Sequence, residues 1–372
     1  MSIDLNELRE SIARWLDEMS FGLEIGRFRF CSKNSLVPVT GRQAQVSTCF
    51  AVKSAWQAGL WESWSADRQR ACIDFINSFQ RPDGWFADPW LKIAARPDMK
   101  GLIKHTLLSL AGRASWQELI DTPERNLRAE TRQSIATLFM VNELPEHPLP
   151  MEQTTTEGIR AYLEKFDWRQ PWSAGSHLSH LMFFVSANHR THGRLVNYAE
   201  LIDFILEFLV SIRDPESGCW YRGTPPDVIK INGAMKVFSG LQWIDRPYPD
   251  CTRLLDFALK QPFQTDGCGF LNRLFVIHEA MKGSPLGYRR ELIRELAMNA
   301  LETVIRFQKP DGGFSFYETY AQTHYYGARV SKGLPVSDLH GTAMMVWAIA
   351  LAIELIGDDA PSGSELWRAH RT

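Results

Sequence analysis

The chain has 372 residues, 45% of them apolar, which is enough for a continuous core in one large domain or in two average ones. Its 41 basic and 43 acidic residues nearly cancel and form no basic stripe, so the sequence gives no support for a nucleic-acid partner. The N-terminus lacks the basic and apolar segments of a signal peptide, and the longest apolar run, 343–356, is shorter than the ~20 residues that span a bilayer.

Six cysteines are scattered without a CxxC pair or a compact disulfide framework. This usage is typical of free thiols in a reducing compartment. Together with the absence of a signal peptide and of a transmembrane segment, it predicts a cytoplasmic protein. The sequence does not determine the oligomeric state.

Helical periodicity dominates the chain. Half-polar, amphipathic stretches alternate with stretches that are apolar on all sides. Amphipathic helices are predicted at 4–19, 66–79, 155–166, 198–212, 252–259 and 289–307. Apolar helices are predicted at 47–60 (capped by Ser47 and Thr48), 102–110, 134–141, 176–185, 231–241, 271–281 and 339–356.

A helix that is apolar on all sides is buried on all sides, whereas an amphipathic helix faces water. Alternation of the two types therefore predicts an inner and an outer layer with about six helices each. We predict an all-α, (α/α)6-type toroid, a double-ring helical barrel. It would form a single domain over 1–372, with an N-terminal helix and irregular lead-in at 1–46 and a C-terminal tail at 358–372.

Glycine-aromatic turns recur between the predicted helices. The pattern Gln-x-x-Asp-Gly-x-aromatic occurs at Gln80–Phe86 and Gln308–Phe314, is recognisable at Gln264–Phe270, and is degraded at Asp214–Trp220. It resembles the QW motif of the terpenoid (squalene) cyclase and protein prenyltransferase β-subunit superfamily. The resemblance implies a toroid of helices, and in that family the motif itself ties successive helices together.

The catalytic motifs of this superfamily match less well. No Asp-x-Asp-Asp string of the class II terpene cyclases occurs, and Asp358-Asp359 lacks the third carboxylate of a class I magnesium site. Similarity to the prenyltransferases implies a zinc site formed by Asp266, Cys268 and His340. Asp266 and Cys268 also lie inside a QW-like turn, so the sequence does not determine whether the protein binds a zinc cofactor.

Polar residues cluster where the apolar helices begin, and the N-termini of inner helices would surround one mouth of a toroid. Exposed amides at such a mouth favour anions. The candidate catalytic residues are His340, Asp338, His177, His180 and Cys268; the candidate substrate-binding residues are Lys230, Asn232, Lys236, Lys104, His105, Thr342 and Tyr325.

Each candidate has a chemical and a structural interpretation. His340 beside Asp338 forms a general acid or base, or alternatively a structural histidine beside a capping aspartate. His177 and His180 share one helix face, either as a functional pair or as capping and core residues. A lysine on an inner helix needs an anion, supplied by the protein or by a substrate. The aromatic loop 316–327, which contains Tyr325, would cover the mouth.

The first functional hypothesis is an enzyme that binds an isoprenoid-like or other apolar, lipid-like small molecule with an anionic diphosphate head. It would act in a cyclase-like or prenyltransferase-like reaction, as a transferase, lyase or isomerase. One alternative is a glycan-acting toroid enzyme of the uronate epimerase or lyase type. Another is a non-catalytic helical scaffold that has kept the fold.

Overall fold

The structure is a computed structural model that describes residues 3–41, 43–95, 106, 116–149, 154–191, 197–244, 246 and 248–371, with the backbone alone for 116–122. Lys104, His105 and most of the predicted helix 102–110 lie outside this range. The described part is mostly helical, with one short hairpin. The helices are α1 (Leu5–Ser20), α2 (Gln45–Gln57), α3 (Ala66–Asn77), α4 (Pro89–Ala94), α5 (Trp116–Met140), α6 (Thr156–Leu163), α7 (Pro171–Thr191), α8 (Tyr198–Ile212), α9 (Asp227–Leu241), α10 (Thr252–Leu259), α11 (Gly267–Lys282), α12 (Arg290–Val304) and α13 (Leu339–Ile356).

The helices fall into two sets by burial. Six helices are buried along most of their length, and we call them the buried helices. They are α2, the C-terminal half of α5, α7, α9, α11 and α13. The covering helices α1, α3, α6, α8, α10 and α12 each bury one stripe, as in α1, where Leu5, Leu8 and Ile12 point inward. The predicted all-α class and the alternation of apolar and amphipathic helices are therefore confirmed.

Each buried helix contacts the next one along the chain. The contacts run from α2 to α5, α7, α9, α11 and α13, and α13 contacts α2 again. Covering helices pack outside this series: α1 and α3 on α2, α6 and α8 on α7, α10 on α11, and α12 on α13.

Helices α7 and α9 approach each other closely because glycines face the interface. A Cβ atom at Gly240 would lie 3.0 Å from the Cα of Ser179, and one at Gly175 would lie 3.1 Å from the carbonyl oxygen of Gly233. Both distances are tighter than ordinary van der Waals contact. These glycines thus set the spacing of α7 and α9, which carry His180 and Lys236.

Two of the QW-like turns are built in the same way. Gln80 pairs with Phe86 across the first turn, and Gln308 pairs with Phe314 across the second. The amide of each phenylalanine donates to a buried threonine on a buried helix, Phe86 to Thr131 and Phe314 to Thr342, at 3.0 Å in both cases. The two clean QW-like sequences therefore share one hydrogen-bonding arrangement, which anchors a turn to a buried helix.

The chain departs from prediction at several helix starts, of which two bear on the predicted caps and turns. α2 begins at Gln45, before the predicted cap, and the Thr48 hydroxyl donates to the carbonyl of Gly26 at 2.8 Å, anchoring the irregular lead-in. Residues 264–270 do not form a QW-like turn, because Asp266 accepts from the amide of Gly269 at 2.9 Å and caps α11. A capping carboxylate at this position starts a helix where the motif alone predicts a turn.

One stretch in the described part of the chain, Leu339–Asp359, is long and apolar enough to cross a membrane by length and composition. Of its most apolar window, 89% is buried inside the protein. Burial of this extent is expected of a core helix, as the sequence predicted, because neighbouring helices cover the apolar surface.

Candidate functional site

Three cationic side chains come from three buried helices, and the arginine among them lowers the pKa of the two lysines. The three are Lys53 of α2, Arg132 of α5 and Lys236 of α9, and we call them the basic cluster. Burial, together with the charge of Arg132, lowers the pKa of Lys53 and that of Lys236 to about 8. Burial also lowers the pKa of Arg132, to about 10. Like charges in a low-dielectric site oppose one another's protonation.

Neither lysine of the basic cluster has a carboxylate partner among the residues that the structure describes. The Lys53 ammonium, only 6% exposed as a residue, donates to Gln133 Oε1 at 3.0 Å. The Lys236 ammonium lies 6.0 Å from the ring centroid of Trp172. A buried ammonium without a counter-charge is costly, so the two lysines are suited to bind an anion.

Arg132 is held where α7 and α9 meet. Its guanidinium donates to the Ser179 hydroxyl and, at 3.1 Å, to the carbonyl of Ser239. His180 follows Ser179 on α7, and burial, with the charges of Arg132 and Lys236, lowers its pKa well below the usual value. His180 is therefore neutral near pH 7 and adds no charge to the cluster.

A buried acid on α5 also stays uncharged. Burial and the nearby charge of Asp88 raise the pKa of Glu130 to about 9. At neutral pH its carboxyl is therefore protonated and does not neutralise the basic cluster. Its proton could be donated to a substrate group that reached it.

His340 is packed among aromatic rings at the start of α13. It stacks on Phe50 and Phe316, with ring centroids 4.6 and 4.9 Å away, and meets Tyr325 edge-on at 5.5 Å. Its Nδ1 is 2.7 Å from Gln322 Oε1, an acceptor, which assigns the proton to Nδ1 and leaves Nε2 as the basic nitrogen. Burial, with the charges of Lys236 and Lys53, lowers its pKa to about 3.

Asp338 does not act as the partner of the His340 ring. Its Oδ1 accepts from the amide of Gly341 at 2.7 Å and caps α13, and its Oδ2 accepts from the amides of Phe316 and Gln322 at 2.8 and 2.9 Å. Burial raises its pKa to about 6, although these backbone donors act in the opposite direction. Asp338 thus fixes the loop that presents Gln322 to His340, and its link to the imidazole is indirect.

The aromatic loop forms a hairpin that packs beside α2 and α5. Strands β1 (His324–Tyr325) and β2 (Ala328–Arg329) are joined by Tyr326 and Gly327, both with positive φ, as in a type I′ turn. Tyr325 is buried against Phe50, and Asn126 of α5 donates to the carbonyl of Tyr326 at 3.1 Å. The hairpin therefore covers the end of the buried helices where His340 lies.

Other predicted site residues lie apart from the basic cluster or serve the fold. Lys230 pairs with Asp227 at 2.8 Å and lies over the Tyr221 ring, so its counter-charge comes from the protein. His177 is directed toward covering helix α6, where it bonds the Tyr162 hydroxyl at 3.1 Å and stacks on Phe166.

Asn232 accepts from Asn272 of α11 at 2.8 Å and so links two buried helices. Thr342 anchors the turn at Phe314, as described above.

The zinc ligands implied by the resemblance do not assemble in the described residues. Asp266 is occupied as the cap of α11, and no group of three or more His, Cys, Asp or Glu side chains there is arranged to hold a metal ion. The Cys268 thiol has a pKa raised to about 12 by burial and by the charge of Asp266, so it is protonated at neutral pH. The residues present therefore do not fit the zinc site.

Lys53 and Arg132 were not among the sequence candidates. Lys53 occurs in an otherwise apolar helix, the same feature that singled out Lys236, and could have been found from it. Arg132 precedes the predicted start of its helix at 134, and the earlier start of α5 brings it into the core.

Neither a protein-family model nor a curated protein matches the chain. Among solved structures the chain is similar to one described as the crystal structure of a protein from Actinoplanes. The two share 15% identity over 93% of this chain and 99% of that chain, with a TM-score of 0.42. At that TM-score the likeness assigns neither a fold nor an activity to this chain.

Proposed function

We propose that the helices form an (α/α)6 toroid of the terpenoid cyclase and prenyltransferase type, and that its interior holds the head of an anionic, otherwise apolar substrate. The proposal for the fold is supported by the contact series of the buried helices, which returns from α13 to α2, and by the covering helices outside it. Two turns anchored through Thr131 and Thr342 repeat the same construction.

The observation that carries the functional proposal is the basic cluster. Lys53, Arg132 and Lys236 come from different buried helices, and the charge of Arg132 adds to burial in lowering the pKa of both lysines. A diphosphate would relieve this repulsion and accept several charge-assisted hydrogen bonds. The substrate class we propose is an isoprenoid-like diphosphate, with aromatic rings such as Phe50, Phe316 and Tyr325 facing its hydrocarbon part.

His340 is suited to the proton transfer that such a substrate needs. When the bond between carbon and the diphosphate oxygen breaks, the diphosphate takes the electron pair and a carbocation remains. Loss of a proton from the neighbouring carbon to Nε2 of His340 then forms an alkene. A base with a pKa of about 3 suffices, because a carbocation is a very strong acid, and aromatic faces stabilise the cation before it reacts.

The test is binding and turnover of farnesyl diphosphate, with inorganic diphosphate as a second ligand. Lys236→Gln should weaken the binding of both by about tenfold or more, as expected for loss of a buried charge partner. Lys230→Gln is the matched control on the same helix and should change neither. Affinity for both ligands should fall as the pH rises through about 8, where Lys53 and Lys236 lose their protons.

Absence of binding by either diphosphate, or equal losses in the two lysine variants, would refute the proposal. Binding of inorganic diphosphate without release of diphosphate from the prenyl substrate would reduce it to an anion site. Saturable binding of an oligogalacturonate in place of the diphosphates would select the glycan-acting alternative.

We also propose a cytoplasmic location. All six cysteines are among the described residues, and none forms a disulfide. Burial raises the pKa of thiols such as Cys49 and Cys72 to about 11 and about 12, which makes them poor nucleophiles. Unpaired thiols in the core support a reducing compartment.

A further inference from the structure

The hairpin turn holds a tyrosine where the backbone favours a smaller residue. Tyr326 has a φ of 46° and Gly327 a φ of 84°, the two left-handed positions of a type I′ turn. Asparagine, aspartate and glycine adopt this conformation readily, whereas a bulky side chain there is strained. A strained residue is retained where its side chain has a role that a favoured residue does not fill.

The ring of Tyr326 borders an accessible space next to His340. Asn126 of α5 holds the turn by donating to the carbonyl of Tyr326 at 3.1 Å. The ring centroids of Tyr326 and Tyr325 are 4.5 Å apart, and those of Tyr325 and His340 are 5.5 Å apart. Tyr326 is 37% exposed although burial raises its pKa. A side chain that is surrounded by protein and still accessible lines a space inside the fold.

The Tyr326 hydroxyl also lies beside the basic cluster. Burial has the largest effect on the pKa of Tyr326 and on that of Arg132, and each of the two also shifts the pKa of the other. Cys268 of α11 acts on the pKa of Tyr326 and on that of Lys236, so its thiol lies near both. Because electrostatic interactions weaken with distance, these effects place the hydroxyl within reach of an anion held by Lys236 and Arg132.

The Tyr326 hydroxyl has a proton to donate. Burial raises the pKa of Tyr326 and that of Tyr325, so both are protonated at neutral pH. The hydrogen bond between the two hydroxyls raises the pKa of Tyr325 and lowers that of Tyr326, which makes Tyr325 the donor. The proton of Tyr326 is therefore directed to a different acceptor, and a phosphate oxygen is a strong one.

We propose that Tyr326 is a substrate-binding residue, whose hydroxyl donates a hydrogen bond to the anionic head held by the basic cluster. This inference rests on the function proposed above for Lys53, Arg132 and Lys236, and it gives the hairpin a direct part in binding. It also explains the strained turn, because the asparagine that the turn prefers is too short to carry a donor to the same place.

The test is isothermal titration of the full-length protein with inorganic diphosphate and with farnesyl diphosphate at pH 7. Tyr326→Phe keeps the ring and removes only the hydroxyl. It should weaken the binding of both ligands by about tenfold or more, as expected for loss of a hydrogen bond to a charged group. Tyr320→Phe, at a tyrosine of the same loop that is 38% exposed, is the matched control and should bind as the wild type does.

Tyr326→Asn separates binding from folding. Asparagine suits the left-handed turn, so the melting temperature should stay close to that of the wild type or rise, while both diphosphates bind at least about tenfold more weakly. A tyrosine with a purely structural role would give the opposite pattern, a lower melting temperature with unchanged affinity, and that result would overturn the proposal.

Lys236→Gln, measured in parallel, distinguishes this inference from the function on which it rests. Wild-type affinity in Tyr326→Phe, or an equal loss in Tyr320→Phe, would overturn the role of Tyr326, and weakened binding by Lys236→Gln in the same series would leave the function of the basic cluster standing. Absence of diphosphate binding by the wild-type protein would refute both.

Discussion

Replacement of Thr342 by valine tests whether the threonine of the QW-like turn stabilises the protein. The Thr342 hydroxyl is fully buried, accepts from the amide of Phe314 at 3.0 Å and donates to its carbonyl at 3.1 Å. In the valine variant the carbonyl keeps a donor, the amide of Asp338 at 2.9 Å, but the amide of Phe314 loses its acceptor. A buried amide left unsatisfied costs about 1–3 kcal/mol, and valine is close enough in shape to leave no cavity.

The assay is urea-induced unfolding, comparing the free energy of unfolding of the variant and the wild type at an unchanged m-value. Thr131→Val should give a loss of similar size, since its hydroxyl accepts from Phe86 at 3.0 Å in the first turn. The control is Thr303→Val on covering helix α12, where we expect a change within about 0.5 kcal/mol. A loss below about 0.5 kcal/mol in both turn variants would show that the hydrogen bonds do not anchor the turns.

Two further predictions concern α13 and its neighbour α11. Gly341→Ala should prevent stable folding or lower the melting temperature strongly, because a Cβ there would overlap the backbone of Phe316; a melting temperature close to that of the wild type would contradict this. His278 has a raised pKa, because its hydrogen bonds to Glu279 and Glu354, at 2.9 and 2.8 Å, outweigh its burial. Protonated His278 therefore stabilises the fold fully below the pKa that it has in the unfolded state, and this stabilisation is lost as the pH rises through its pKa in the folded state. His278→Gln should accordingly lower the free energy of unfolding more at pH 5.5 than at pH 9. Equal losses at the two pH values would show that the charge of His278 is not involved.

Hydrophobic periodicity predicted the helices well where burial follows the local pattern. The predicted ranges 198–212, 252–259 and 339–356 coincide with α8, α10 and α13. Helices with polar ends were predicted too short: α7 runs over Pro171–Thr191 where 176–185 was predicted, and α5 begins far before 134. Periodicity shows which residues are apolar, but hydrogen bonds and tertiary contacts decide how far a helix extends.

The choice among polar residues depended on the direction in which each side chain points. Lys230 and Lys236 are both on α9 and looked alike in sequence, yet one pairs with Asp227 and the other joins the basic cluster. Six residues along a helix correspond to a rotation of about 600°, which leaves the two side chains about 120° apart around the helix axis. Only the packing of α9 against α7 and α11 decides which face is inside.

The sequence by itself determined the helical class, the two kinds of helix and the recurrence of the turns, because these follow from residue patterns within a single helix or loop. The tertiary structure decided that Lys53, Arg132 and Lys236 lie together and that Asp338 binds backbone amides and not the imidazole of His340. It also placed the C-terminal segment 367–371 against α2. These contacts join residues up to hundreds of positions apart, and their geometry follows from how the helices pack, which no local pattern encodes.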